Sequence, residues 1–328
     1  YDPNITKEYF QMGKVMDYMF SLFGKLFDIS FKKNDLKLWD KDVLSFDVFR
    51  GGTKFSHIIL DLYPRKGKYG HMACWGLMPG EIDGFRGKNY KAPLSVIVGN
   101  FPKGTKKNPS LLSIGEIETL FHEFGHMCHN ILSKASFDSH SGTNTDFDFV
   151  ETPSQLFENW VKDINILTEM SCHYKTGKKL PKDIQDKIVS LDGFMKAGEY
   201  YGAFVGGIHD LLMHTDLYKK DLSKAAVFVH KKYGNPVIKR NDKTLFPAGW
   251  GHMVGYASSY YTYMWSLVYA YDIFSRFKKE GIKSKKVGKE LRENILSKGG
   301  SVDEMSQMKD FLGRKPNNKA FLGALGIK

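Results

Sequence analysis

Cysteine is scarce. Cys74, Cys128 and Cys172 are three in a chain of 328 residues, too few for a disulfide framework and an odd number that cannot pair completely within one chain. A reducing compartment is therefore expected, the cytoplasm first, with the mitochondrial matrix or another organelle as the alternative. A structural zinc knuckle of four cysteines is excluded as well. Charge is missing from one long stretch: Pro247 to Tyr271 holds no Asp, Glu, Lys or Arg. Yet Gly249, Gly251, Gly255, Ser258, Ser259, Thr262 and six tyrosines make it far too polar to span a bilayer, and burial in protein is expected, with no membrane partner. Internal repeats and long linkers are also lacking.

Apolar residues make up 42% of the chain, enough for a substantial core and incompatible with disorder. Lys and Arg outnumber Asp and Glu by 48 to 36, a formal charge of +12. The lysines fall in scattered pairs such as Lys106-Lys107, Lys178-Lys179 and Lys285-Lys286, which suits solvated faces better than the contiguous stripe a nucleic acid requires. No nucleic-acid partner is expected.

Met12, Val15, Met16, Met19, Phe20, Phe23 and Phe27 follow helical spacing and predict a helix over about 6–27. Between 36 and 101, short runs from Val43 to Phe49, Ser56 to Leu62 and Ser95 to Phe101 are separated by Gly51-Gly52, Gly67, Gly70 and Pro79-Gly80, as strands of a small antiparallel sheet would be. From Ser95 to Asn100 the strand is expected at the sheet edge, where an extended peptide could add to it. Ser113-Ile114-Gly115-Glu116 has capping-box spacing and opens a helix over about 114–133. Further helices are expected from Pro153 to Met170, Pro181 to Met213, Ser223 to Lys232, Ser258 to Lys279 and Lys285 to Ser297. The whole is mainly α with a small antiparallel β-sheet: 1–35 helical, 36–101 the sheet, and 110–328 helical with the metal site, folded to its C-terminal end.

Within the capped helix lies His122-Glu123-Phe124-Gly125-His126, an HExxH segment. A spacing of four puts both imidazoles on one face, one turn apart, where they can grip one ion. Two exposed helical histidines are the plainer alternative. A catalytic zinc wants a third protein ligand plus water, and Glu151, 25 residues on past a polar loop and at the entry of the next helix, is the candidate; an ordinary first-turn acid is its alternative. Glu123 stands beside the metal without ligating it, in the place of a general base. Glu158 shares a helix face with Glu151 and is a candidate acceptor for a ligand imidazole N–H. His129 is read as structural, and Gly125 as a small residue permitting close approach of another segment.

A second cluster, Gly251-His252-Met253-Val254-Gly255-Tyr256 followed by Tyr260, Tyr261 and Tyr263, places an imidazole and several phenols after a glycine-rich turn. Such donors can stabilise a tetrahedral oxyanion, although a tyrosine-rich core helix explains them equally. The glycines suggest a turn that moves on substrate binding.

With these segments, with Asp61-Leu62-Tyr63-Pro64-Arg65, Lys68-Tyr69-Gly70-His71, Phe149 to Gln155 and Phe311-Leu312-Gly313-Arg314, the chain resembles the thimet oligopeptidase family of zinc metallopeptidases, nearly end to end. The resemblance implies a zincin-like catalytic region holding one Zn2+ through His122, His126 and Glu151, with Glu123 as base and His252, Tyr256 and Tyr263 as substrate and transition-state contacts. It implies an endopeptidase acting on short unstructured peptides, with dipeptidyl carboxypeptidase action or a catalytically idle peptide-binding module as alternatives. The chain matches the C-terminal, catalytic half of such proteins. A helical N-terminal half is expected to come from the same precursor or from another chain.

Overall fold

The structure is a computed structural model that describes residues 3–82, 89–191, 196–215, 221–237 and 246–327. After a short helix, α1 (Pro3–Lys7), the apolar stripe at the N-terminus forms α2 (Met12–Phe27), which buries Val15, Met19, Phe23 and Phe27. It starts later than the periodicity suggests because Gln11 is extended and bridges Leu111, with Leu112 donating its amide to Phe10 and Met12 donating to Ser110. Asp28, at φ 56°, ends it by returning its amide to Gly24.

The strands are β1 (Ser30–Asn34), β2 (Leu44–Arg50), β3 (Thr53–Asp61), β4 (Ala73–Met78), the short pair β5 (Glu81–Ile82) and β6 (Tyr90–Lys91), and β7 (Leu94–Val98). Among the described residues the main sheet has the order β1-β2-β3-β7-β4. Only β2 and β3 are joined by a tight turn, where Gly51 and Gly52 take φ 55° and 80°. Two expectations fail here. The sheet is mixed, since β7 runs parallel to β3 from His57 opposite Leu94 to Asp61 opposite Val98. And β7 is internal, because β4 pairs with its far side in antiparallel register. Turn residues between apolar runs suggested consecutive hairpins, but the 32 residues from Leu62 to Pro93 form a crossover that lets the chain re-enter the sheet in the same direction. The unalternated run Ser95-Val96-Ile97 was itself a sign of burial on both faces. The edges of this sheet, among the described residues, are β1 and β4, and the edge next to β7 is β4, whose Trp75, Leu77 and Met78 are exposed.

Beyond Ser110 the chain is helical: α3 (Ile114–Leu132), α4 (Phe147–Val150), α5 (Thr152–Lys162), α6 (Ile164–Met170), α7 (Lys182–Leu191), α8 (Lys196–Met213), α9 (Leu222–Tyr233), α10 (His252–Gly255), α11 (Thr262–Glu280), α12 (Lys285–Leu291), α13 (Glu304–Leu312) and α14 (Lys319–Ala324). The helix expected over 153–170 divides at Asp163, which is extended and caps α6 by accepting the amides of Asn165 and Ile166. The centre of the expected 181–213 helix, residues 192–195, lies outside the described residues. Among the described residues no helix is long and apolar enough to cross a membrane.

An aromatic core joins α2, α3, α5 and α11. Phe23 stacks on Phe157 with ring centroids 4.1 Å apart and meets Phe121, Phe124 and Trp160; Trp160 meets Phe274 and Phe277 edge-on. Each such ring contributes about 1.5–3 kcal/mol by leaving water, so α3 and α5 are clamped together at the level of the HExxH segment. The tail is tied to the same unit by Arg314, whose two guanidinium nitrogens donate to the buried Asp272 carboxylate at 2.8 and 2.6 Å.

A buried ion cluster closes β3. Asp61 accepts from Arg65 at 2.6 and 2.8 Å, from Lys68 at 2.8 Å and from the Trp39 indole at 2.8 Å. Lys68 also donates to the carbonyls of Asp61, Tyr63 and Gly99, locking the end of β3 to the end of β7. Burial favours protonation of Asp61, but these donors outweigh it and hold the carboxyl down at about 2. A carboxylate with a depressed pKa adds stability above its usual value of about 3.8 and loses it as the pH falls toward about 2. Asp61→Ala should cost about 3 kcal/mol in urea unfolding at pH 7, because Lys68 is left buried without its counter-ion. The gap between variant and parent should narrow between pH 4 and pH 2; a constant gap refutes the electrostatic account.

Candidate metal centre

The HExxH segment lies in the middle of α3, whose start is fixed as expected: Glu116 donates its amide to Ser113 Oγ at 3.2 Å, and Ser113 donates its own amide to the Glu116 carboxylate at 2.7 Å. Against this helix runs α5, and the approach is close. A Cβ on Gly125 would stand 2.6 Å from Ser154 Cα and 2.7 Å from the Pro153 carbonyl oxygen. Glycine is thus required at 125 for backbone contact, as the sequence suggested.

That contact delivers Glu151, which precedes α5, to the histidine pair. Its Oε2 lies 3.2 Å from His122 Nε2 and 3.0 Å from His126 Nε2, and the three potential ligand atoms all fall within 4.8 Å of one another. Glu151 is 3% exposed, so its charge is compensated locally. Ser154 Oγ donates to Oε2 at 2.8 Å, and Tyr256 donates its phenol to Oε1 at 2.9 Å. Burial raises the Glu151 pKa, but the imidazoles of His126 and His122 overcome it and hold the carboxylate well below its usual range. His122 is opposed by burial and carried well above the usual imidazole value by its hydrogen bonds to Glu151 and Glu158.

Glu158 sits one helical span further along α5, where His122 Nδ1–H donates to its Oε1 at 2.8 Å and Lys162 donates to its Oε2 at 3.0 Å. A carboxylate on Nδ1 keeps a proton on that nitrogen, so Nε2, which faces Glu151, is the nitrogen that would give its lone pair to a cation. Glu123 projects from the same turn. It is 7% exposed, lies beside Cys74 of β4, and has its pKa raised, chiefly by burial. His129 is fully buried and pushed down to about 3, also by burial, which agrees with a neutral, structural side chain.

The second cluster meets the first. Beyond Tyr256 on Glu151, Tyr263 OH is 3.4 Å from His252 Nε2, and the Tyr256 and Tyr263 rings are 5.2 Å apart. Burial raises both phenols, so each keeps its donor proton at neutral pH, and it lowers His252. The glycines at 249, 251 and 255 have no positive φ; the left-handed residue of this turn is Ser258, at φ 58°. Sequence reasoning missed three supports: Cys74 beside Glu123, Ser154 against Glu151, and Asp210 beneath the turn. An acid inside the apolar run Ile208-His209-Asp210-Leu211-Leu212 was a visible signal for the last of these.

Residues 1–327 match the model of Peptidase family M3. The chain belongs to that family. It is similar to a thimet-like oligopeptidase of Dictyostelium discoideum, 34% identical over 99% of this chain and 49% of the relative, and to oligopeptidase A of Escherichia coli, 32% identical over 98% and 48%. Saccharolysin of Saccharomyces cerevisiae is 32% identical over 100% of this chain and 48% of its own length. This M3 chain spans about half the length of these relatives. Among solved structures, a Pyrococcus furiosus carboxypeptidase superposes with TM-score 0.56 at 14% identity over 98% of this chain and 59% of that one. PZ peptidase A with an inhibitor gives TM-score 0.53 at 16% identity over 81% and 42%. These two likenesses concern the fold.

Because the α3–α5 contact sets the position of Glu151, Gly125→Ala should cost about 2 kcal/mol of unfolding free energy by overpacking and weaken the binding of an added divalent cation by the candidate cluster about tenfold by displacing Glu151. Denaturant unfolding and a competitive chelator titration measure the two effects. Cation affinity equal to the parent's in a destabilised variant would show that α5 does not position the candidate site.

Proposed function

We propose that this M3 chain is the catalytic region of a zincin-like zinc endopeptidase that hydrolyses short unstructured peptides. One observation carries the proposal: a buried carboxylate and two Nε2 atoms converge from two helices, with a second carboxylate, Glu123, beside them and not among them. The donor set suits zinc, which takes two imidazoles and one carboxylate with a fourth position left open. Glu158 supports the fit by holding His122 in the tautomer a cation needs.

His122, His126 and Glu151 would hold the zinc, which when bound supplies Lewis acidity that brings a water pKa down to about 7 and polarises the scissile carbonyl. Glu123 takes the proton of the attacking water and passes it to the departing amine. His252 and Tyr263 would act as donors toward the developing oxyanion, joined by Tyr256 once its phenol proton leaves Glu151, since the oxyanion needs hydrogen bonds that strengthen in the transition state. The names of the oligopeptidase relatives support peptides as the substrate class. Intact ligands and base argue against an idle binding module.

Docking is assigned to β4. Among the described residues β4 pairs only with β7, and Cys74 lies beside Glu123, so the main-chain groups of β4 that face away from β7, the amide of Gly76 taken to be among them, are the ones a peptide would meet. A peptide adding there would lie beside the base. Gly76→Pro should raise KM about fivefold by deleting one main-chain hydrogen bond, and an inhibitor complex with the peptide paired to another strand would refute this assignment.

The chemistry is tested by two substitutions in one set of preparations. His126→Ala should lose stoichiometric zinc and peptide cleavage together. Glu123→Gln should keep zinc and peptide binding while kcat falls by at least about 10³. Stoichiometric zinc in His126→Ala, or near-parental turnover in zinc-replete Glu123→Gln, would overturn the respective role.

A further inference from the structure

Asp210 lies near the end of α8 and is fully buried. A carboxylate in that position needs compensation, and it finds it across the molecule, about 50 residues along the chain. Oδ1 accepts the amide of Ser258 at 3.0 Å and Oδ2 accepts the amide of Tyr260 at 2.8 Å. His214, one turn later on α8, brings its Nδ1 to 3.2 Å from Oδ1 and donates to the Asp210 carbonyl at 2.8 Å.

Both amides belong to the turn between α10 and α11. This turn is held in a form its residues do not favour: Ser258 is at φ 58°, where a side chain crowds the backbone and glycine would be at ease. The three nearby glycines do not absorb the bend, so the grip on the Ser258 and Tyr260 amides is what retains it. Charge-assisted bonds from two amides to one carboxylate are strong and directional. On either side of the gripped pair stand Tyr256, on Glu151 at 2.9 Å, and Tyr263, on His252 at 3.4 Å. Displacing a transition-state donor by about 1 Å can cost 10² in rate.

We propose that Asp210 is a positioning residue that, by binding the amides of Ser258 and Tyr260, sets Tyr256 and Tyr263 against the metal centre for oxyanion stabilisation. This rests on the peptidase function proposed above. The prediction separates Asp210 from an ordinary buried acid, because its loss should act on the chemical step and should leave zinc in place.

The test uses Asp210→Ala together with Asp210→Asn, which keeps the volume and one acceptor while turning an NH2 group toward the second amide. In Asp210→Ala, hydrogen exchange at Ser258 and Tyr260 should accelerate at least tenfold. Zinc content should be unchanged, kcat should fall about 10² and KM should move less than threefold. Asp210→Asn should show the same pattern with a kcat loss of about tenfold, and it carries the test if the alanine variant does not fold. Combined with Tyr263→Phe, the losses should fall well short of multiplying, since both substitutions remove one function. Parental exchange at both amides overturns the proposal, as does an unchanged kcat with accelerated exchange, or fully multiplicative losses. Absence of peptide cleavage by the parent chain would overturn the peptidase function instead, and the exchange rates would still decide whether Asp210 holds the turn.

Discussion

The candidate site depends on one backbone contact, that of α5 on α3 at Gly125. The HExxH spacing supplies two imidazoles one turn apart, but two ligands on a single helix leave an ion largely to water. A third must come from elsewhere, and its carboxylate must reach within hydrogen-bond range of both rings. Glu151 has a short side chain and precedes α5, so the helices must touch for it to arrive. Ser154 Cα would lie 2.6 Å from any Cβ at position 125. The stacked rings of Phe23 and Phe157 and the edge contacts of Trp160 press the helices together from the opposite side. Core packing and ligand geometry are thus one constraint seen from two faces.

The same contact concentrates charge. Glu151 receives hydrogen bonds from Ser154 and Tyr256 and faces both imidazoles, while Glu158 takes the far nitrogen of His122. A buried carboxylate with fewer partners would become protonated or force water into the core. The array therefore sets a carboxylate charge beside two imidazoles, the electrostatic setting that the proposed metal would need. Tyr256 couples the Glu151 carboxylate to the turn that Asp210 contacts, so the candidate metal centre and the proposed oxyanion donors share a hydrogen bond.

Local signals were legible where chemistry follows from short spacing. The Ser113 to Glu116 capping box, the HExxH face, the need for a small residue at 125 and the far-nitrogen acceptor Glu158 all appear in the structure as read. Glu151 was found by asking what a second helix must bring. What escaped was long-range: the parallel β3–β7 pairing, the internal place of β7 and the Asp210 tether. Turn chemistry marks where strands end without saying which edges meet, and periodicity marks a buried face without saying what a polar group on it will bind. The aromatic cluster from Tyr256 to Tyr263 was ambiguous for the same reason. Its separation from a mere core helix lies in the 2.9 Å bond to Glu151, a contact across 105 residues.

Moving the free edge from β7 to β4 changes how the sheet relates to the chemistry. With β7 outermost, a bound peptide would have been separated from the base by a packed, both-sides-buried strand. With β4 outermost on that side, the edge strand next to β7 is the one whose Cys74 lies beside Glu123. Asn130 of α3 reinforces this placement: its side chain donates to Ser95 Oγ in β7 and accepts from Thr143. A Cβ on Gly76 would meet the same side chain at 3.7 Å. Sheet and HExxH helix therefore meet at two positions of α3 about two turns apart, Glu123 beside Cys74 of β4 and Asn130 on Ser95 of β7, and two points define a direction where one does not. A peptide paired to β4 would inherit that direction, so its scissile bond would be located relative to Glu123 by main-chain hydrogen bonds alone. Such a device needs no particular side chain in the substrate, so the proposed peptidase would take short peptides of varied sequence.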